Sequence, residues 1–219
     1  MVPWRTIATV PTAEGELQLR QRGQRDFLIV IDGRVLMTSS ERHSEEALAT
    51  FACAPIASHP SPRVLIGGLG MAYTLRAALE ALPATATVVV AELTPEVLAW
   101  CRGPLGVLTT DAVADPRVRV AIGDVAAMIT GTGRGELDAI ILDLYEGPHA
   151  ATQRANDPFY GKAALARSHA ALAPGGILAV WSEEPDAGFA RRFVAAGFEV
   201  SVHALGKSRT HVVYLGRRG

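Results

Sequence analysis

Residues 63–72, RVLIGGLGMA, decide the fold. An apolar run that breaks into glycines and then into a helical stretch, Met71 to Leu82, reads as strand, tight turn and helix N-terminus. Toward the C-terminus the pattern repeats. The runs TVVVAE, RVRVAI, LDAIILD and GGILAVWS are separated by the helical stretches Pro95 to Arg102, Val125 to Thr130 and Phe159 to Ala173. Near-continuous Val, Ile and Leu strands alternating with helices predict a parallel sheet covered on both faces. A last helix, Ala187 to Ala196, leads to FEVSVHAL and THVVYLG, joined by the short turn Gly206-Lys207-Ser208. Strands so closely linked must run antiparallel, because a parallel crossover takes a dozen or more residues. The expected fold is α/β and Rossmann-like, with a seven-stranded, mostly parallel sheet ending in an antiparallel hairpin.

Toward the N-terminus the signals are extended: TIATV, ELQLRQ, FLIVID and RVLMT, punctuated by Gly15, Gly23 and Asp32-Gly33. Asp-Gly between apolar runs is a hairpin signal, so residues 1–42 are expected to form a small antiparallel β unit. Ser44 precedes a helical stretch, Glu45 to Ala57, that ends in His59-Pro60-Ser61-Pro62 and opens the main domain, residues 43–219.

A chain of 219 residues, 49% hydrophobic and 20% charged, is globular in composition. Its formal net charge of -1 gives no electrostatic pull toward nucleic acid. Cys53 and Cys101 sit in helical stretches without metal-ligand spacing, so neither a disulfide nor a metal site is expected. The start lacks a signal-peptide core, and no window approaches the roughly 18 apolar residues of a membrane span. The chain is expected to be cytoplasmic, without membrane or nucleic-acid partners.

Chemistry-bearing residues fall at strand ends. Gly67, Gly68 and Gly70 allow backbone to approach a ligand at a helix N-terminus, although the strict GxGxxG pattern fails at Tyr73. Glu92 closes the next strand, where an acid accepts hydrogen bonds from ribose hydroxyls. Asp124 follows the third strand; it is placed to cap a helix, to accept an adenine amine, or both, with Leu93 and Val125 as apolar walls. The fourth strand runs into Asp143-Leu144-Tyr145-Glu146-Gly147-Pro148-His149, at the sheet edge where open α/β folds bind ligands. Asp143, Tyr145, Glu146 and His149 are therefore the candidate catalytic residues. His203 and His211, on the terminal hairpin, read as structural, His43 as a loop residue, and Trp181 as core packing or pocket wall.

Together these motifs resemble the spermidine/spermine synthase family of aminopropyltransferases and its class I methyltransferase-fold relatives. The resemblance runs through IDGRVLMTSSERHSEEALA, PRVLIGGLG, VVVAEL, DPRVRVAIGD, LDAIILD and LAPGGILAVW. It implies S-adenosylmethionine, or its decarboxylated form, as cofactor. Glu92 would bind ribose, Asp124 adenine, and Asp143 would orient and deprotonate an amine, with Glu146 as a further loop acid. It also implies a small amine substrate and a homodimer. Departures stand beside it. GGLGMA lacks the Asp that holds the amino group of the decarboxylated cofactor, Leu36 takes the place of a Gln, and Ser44 and Glu45 that of a Tyr-His pair. These departures favour methyl transfer to a small amine as the expected reaction. Aminopropyl transfer to a diamine is the alternative, and a non-catalytic nucleoside-binding module the third reading.

Overall fold

Period-two alternation sorts every central strand between two apolar layers. The computed structural model describes residues 2–145, 147–148, 156–205 and 211–219. Strands β1 (Arg5–Thr12), β2 (Gly15–Arg22), β3 (Asp26–Ile31) and β4 (Arg34–Thr38) form a four-stranded antiparallel sheet in sequential order. The β3–β4 link is the two-residue turn expected of Asp-Gly, with φ of 43° at Asp32 and 82° at Gly33.

Helix α1 (His43–Cys53) and a 3-10 turn, Ala54–Ile56, lead to β5 (Arg63–Gly67). Then follow α2 (Tyr73–Ala81), β6 (Thr87–Glu92), α3 (Pro95–Cys101), α4 (Gly106–Thr109), β7 (Val118–Ile122), α5 (Val125–Gly131) and β8 (Leu137–Leu142). The chain finishes with α6 (Lys162–Ala171), β9 (Leu172–Ser182), α7 (Ala187–Ala195), β10 (Phe198–Leu205) and β11 (His211–Arg218). The second sheet has seven strands in the order β10-β11-β9-β8-β5-β6-β7. β5 to β9 are parallel, and β11 inserts antiparallel between β9 and β10, as expected. The linking turn Gly206-Lys207-Ser208 lies outside the described residues.

Val64, Ile66, Val88, Val90 and Ile141 face one layer, which also holds α1, α2 and the inner side chains Leu17, Leu19, Phe27 and Ile29 of the small sheet. Leu65, Ile140, Leu142, Leu178 and Val180 face the other, with Phe189 and Phe193 of α7. The small sheet thus shares one apolar layer with the large one. No helix of the described residues is long and apolar enough to cross a membrane.

Element boundaries moved for local reasons. α2 starts at Tyr73 rather than Met71 because Gly70 and Ala72 are left-handed, with φ of 50° and 64°. α6 starts at Lys162 rather than Phe159, because Asp157 Oδ1 accepts from the backbone N–H groups of Phe159 (2.9 Å) and Tyr160 (2.6 Å) and holds them in a turn. β9 starts at Leu172, which pairs with Leu137, three residues before the expected Gly175.

Cys53 and Cys101 are buried free thiols whose pKa values desolvation pushes up to about 12. Neither is expected to react with an aromatic disulfide reagent in the native protein, and both should react after denaturation. Rapid native labelling of either would contradict the packing.

Candidate functional site

The carboxyl ends of β5, β6, β7 and β8 are laced together by backbone bonds that continue past the strands. Gly68 N–H donates to Ala91 O (2.9 Å), Gly123 N–H to Glu92 O (2.8 Å), and Asp143 N–H to Gly67 O (2.9 Å). The strand order changes direction between β5 and β8, and there the edge opens a crevice. A cavity of about 660 Å³ occupies it, lined by Gly68, Gly70, Glu92, Leu93, Asp124, Val125, Asp143 and Tyr145. The small sheet closes it with Leu17, Ile29, Ile31, Leu36 and Met37.

The glycine turn is shaped by what lies behind it. Gly68 has φ of 90°, and a Cβ there would stand 2.3 Å from the carbonyl oxygen of Asp143. Gly67 abuts Val125 and Leu142 and lies behind the cavity lining. Glu92 is held from two sides: Leu69 N–H donates to Oε2 (3.0 Å) and Thr94 N–H to Oε1 (2.8 Å). Burial raises its pKa, opposed by those bonds. Asp124 caps α5, its Oδ1 accepting from Ala126 N–H (2.8 Å), so the capping reading holds, and the residue also lines the cavity. Leu93 lines the cavity while 63% exposed, a rim rather than a buried wall. Val125 is buried.

Asp143, partly buried at the end of β8, accepts a 2.5 Å hydrogen bond from Thr74 Oγ1 in the first turn of α2. Desolvation, and then the nearby Glu45 carboxylate, push its pKa up to about 7. Tyr145 is exposed at the rim, with the Arg34 guanidinium 4.9 Å from its ring centroid and 3.9 Å from Glu183. Glu146 and His149 lie outside the described residues.

Three groups that sequence reading did not place in the site are present. Glu45, in the first turn of α1, lines the same cavity as Asp143. Ser44 does not cap α1; its Oγ donates to Glu45 Oε2 (2.7 Å) and lies 3.0 Å from His211 Nδ1. Because the single hydroxyl proton goes to Glu45, His211 Nδ1 is the donor to Ser44. His211 also lines the cavity, edge-on to Trp181 at 5.1 Å between ring centroids. Trp181 is a pocket wall, and its buried Nε1–H has no partner among the described residues. His43 is exposed, and His203 packs on Phe51 at 4.7 Å. Of these, Ser44 and Glu45 were marked only by the resemblance, as standing in the place of a Tyr-His pair.

The sheet order and its edge crevice define a class I methyltransferase-like fold. Comparison with known proteins carries this further. No protein-family profile matches the chain. The polyamine aminopropyltransferase of Clostridium tetani is 29% identical over 136 residues, 62% of this chain and 47% of that one. Polyamine aminopropyltransferase 2 of Streptomyces coelicolor is 35% identical over 167 residues, 74% of this chain and 28% of that one. The polyamine aminopropyltransferase of Mycobacterium tuberculosis is 30% identical over 183 residues, 82% of this chain and 33% of that one. The chain therefore spans less than half the length of the curated relatives it matches. Spermidine synthase from Thermotoga maritima superposes with a TM-score of 0.78 at 22% identity, covering 98% of this chain and 73% of that one. A probable spermidine synthase from Corynebacterium glutamicum gives 0.69 at 19%, covering 96% and 79%. At these identities the structural likeness is one of fold. The chain is a homologue of the polyamine aminopropyltransferases, as its motifs implied.

The expected preference for methyl transfer is corrected by these relatives, each of which is a polyamine aminopropyltransferase. That expectation rested on the missing acid in GGLGMA. The glycine turn itself carries no acid, and the cavity holds a carboxylate from α1, Glu45.

Proposed function

We propose that this chain transfers an aminopropyl group from decarboxylated S-adenosylmethionine to a small amine. One observation carries the reading: a single cavity holds Glu92 and Asp124 beside the glycine turn and Asp143 further along, inside a strongly acidic lining. Glu14, Glu41, Glu45, Glu92, Asp124, Asp143 and Glu183 face only one permanent cation, Arg34, among the described residues. Such a lining with apolar walls suits an alkyl ammonium and repels an anionic acceptor.

The residues present fit the nucleoside end of the cofactor. Gly68 lines the cavity with bare backbone, Glu92 is fixed by two backbone N–H groups with lone pairs to spare for ribose hydroxyls, and Asp124 keeps an oxygen beyond its cap. When bound, the cofactor supplies a sulfonium as leaving group, which departs as a neutral thioether when the adjacent propyl carbon is attacked by the amine lone pair. Asp143 orients the acceptor and takes the proton that the amine nitrogen loses. Thr74 fixes that carboxyl group, and the small sheet excludes water from the crevice. Tyr145, at the rim beside Arg34, bounds the entrance.

The test is incubation of the full chain with 1,4-diaminobutane and either S-adenosylmethionine or its decarboxylated form, followed by mass analysis. A product heavier by one aminopropyl group, formed with the decarboxylated cofactor alone, is expected. A methylated product, or no turnover with either, would overturn the reading.

A further inference from the structure

Glu45 and Glu46 are adjacent acids with opposite fates. Glu46 pairs outside the site with Arg42 at 3.1 Å, as a first-turn helix acid commonly does. Glu45 enters the cavity wall, and no Lys or Arg pairs with it among the described residues. It is not loosely placed there. His211, from the last strand, donates to Ser44, and Ser44, inside the first turn of α1, donates to Glu45. Asp143 is held in the same manner by the hydroxyl of Thr74 on α2. Two carboxylates thus line one cavity, each fixed by a hydroxyl from the first turn of a helix.

Two carboxylates buried in one cavity are unfavourable as a pair of anions, and a cation between them relieves the repulsion while one of them is free to take a proton. Arg34, the one Lys or Arg that lines the cavity among the described residues, lies at the rim by Tyr145 and Glu183, and the described residues contain no group of three side chains that could hold a metal ion. An organic ammonium meets the need, with N–H donors for both acids. We propose that Glu45 is a second acceptor-binding residue which, with Asp143, grips the amine nitrogen, and that Ser44 and His211 are its positioning residues. This rests on the reading of the cavity as an amine site. It divides the labour between the acids: Asp143 takes the proton, while Glu45 holds the departing product cation.

Burial raises the Glu45 pKa, while Ser44 and the His211 charge lower it and Glu46 raises it. Its carboxylate in turn helps hold Asp143 up. From α2, Tyr73 faces Glu45 and Glu46, its pKa raised by burial, with the Arg42 guanidinium 5.9 Å from its ring centroid.

Glu45→Gln, assayed in the full chain with 1,4-diaminobutane and decarboxylated S-adenosylmethionine, should raise KM for the diamine by about ten- to a hundredfold, the range for losing a hydrogen bond to a charged group. KM for the cofactor should change less than about twofold. The acid limb of kcat/KM should move to lower pH, because Asp143 loses a negative neighbour. Ser44→Ala, which keeps the carboxylate but not its orientation, should raise the diamine KM by a few-fold. Glu46→Gln should leave all three readouts unchanged. An unchanged diamine KM and pH profile in Glu45→Gln, with the wild type active, would overturn the assignment. If the wild type makes no product, calorimetry of 1,4-diaminobutane with 5′-methylthioadenosine present separates the two ideas. Binding weakened at least tenfold by Glu45→Gln upholds the amine grip while the transfer reading falls. Absent or unaltered binding sinks the grip itself.

Discussion

Asp143→Asn is expected to lower kcat/KM for the amine by about 10²- to 10⁴-fold, the usual worth of a positioned general base, while leaving nucleoside affinity within about threefold. The substitution is nearly isosteric. Its amide oxygen still accepts from Thr74 Oγ1, and the backbone bond to Gly67 is untouched, so the crevice keeps its shape. What disappears is the ability to take a proton. With a pKa of about 7, Asp143 is poised to do so near neutrality, where an unperturbed aspartate would be too weak a base. The rate in wild type should accordingly rise with pH through about 7 as the carboxyl ionises. Measuring nucleoside binding beside kcat/KM decides the matter: an active Asp143→Asn variant would remove the residue from the chemistry.

The same substitution has a second readout of opposite sign. A carboxyl whose folded pKa lies above its unfolded value near 4 adds stability at low pH, which is lost as pH rises through about 7. Above that pH the native state carries a desolvated carboxylate beside Glu45 that the amide does not have. Asp143→Asn should therefore be more stable than wild type at pH 8, by about 1–4 kcal/mol, and hardly different at pH 4. Thermal melts at the two values check this. An equal difference at both would mean that the carboxyl is not held in its protonated form by the fold. A gain in stability with loss of activity is what a strained active-site charge predicts.

The acids that were legible in the sequence share a physical cause. Glu92 and Asp143 end runs of apolar residues that read as buried strands, Asp124 follows the more polar edge strand β7, and a parallel sheet aligns all three ends on one edge. Strand identity therefore determined their position. Glu45, His211 and Thr74 had no such warrant. A Glu in a first helical turn is ordinarily solvated, and its neighbour Glu46 obeys that rule. Whether Glu45 faces inward depends on how α1 rolls against β11, a tertiary contact that Ser44 and His211 fix and that no local pattern encodes. The element boundaries failed for a related reason. Phe159 and Tyr160 look helical in sequence, yet an aspartate two and three residues before them takes both backbone donors.

Gly68→Ala should be among the most damaging single-atom additions in the chain. Two costs combine at that residue. A φ of 90° is strained for any residue with a Cβ, roughly 1–3 kcal/mol, and the added carbon would sit 2.3 Å from a backbone oxygen that cannot rotate away. Relieving the overlap must push the strand end carrying Asp143 away from the glycine turn, at a further cost of about 1–3 kcal/mol. Gly33 provides the comparison, because its φ of 82° demands the same strained backbone but nothing lies within 4 Å of its missing Cβ. Gly33→Ala should thus show the strain alone, with melting lowered by a few degrees and 5′-methylthioadenosine bound normally. Gly68→Ala should melt about 5–15 °C below wild type and bind the nucleoside at least tenfold more weakly. If the two variants melted together and bound alike, the close approach of the glycine turn to Asp143 would not be what shapes the nucleoside end of the cavity. The acid and the turn would then be independent features of the sheet edge rather than one fitted unit.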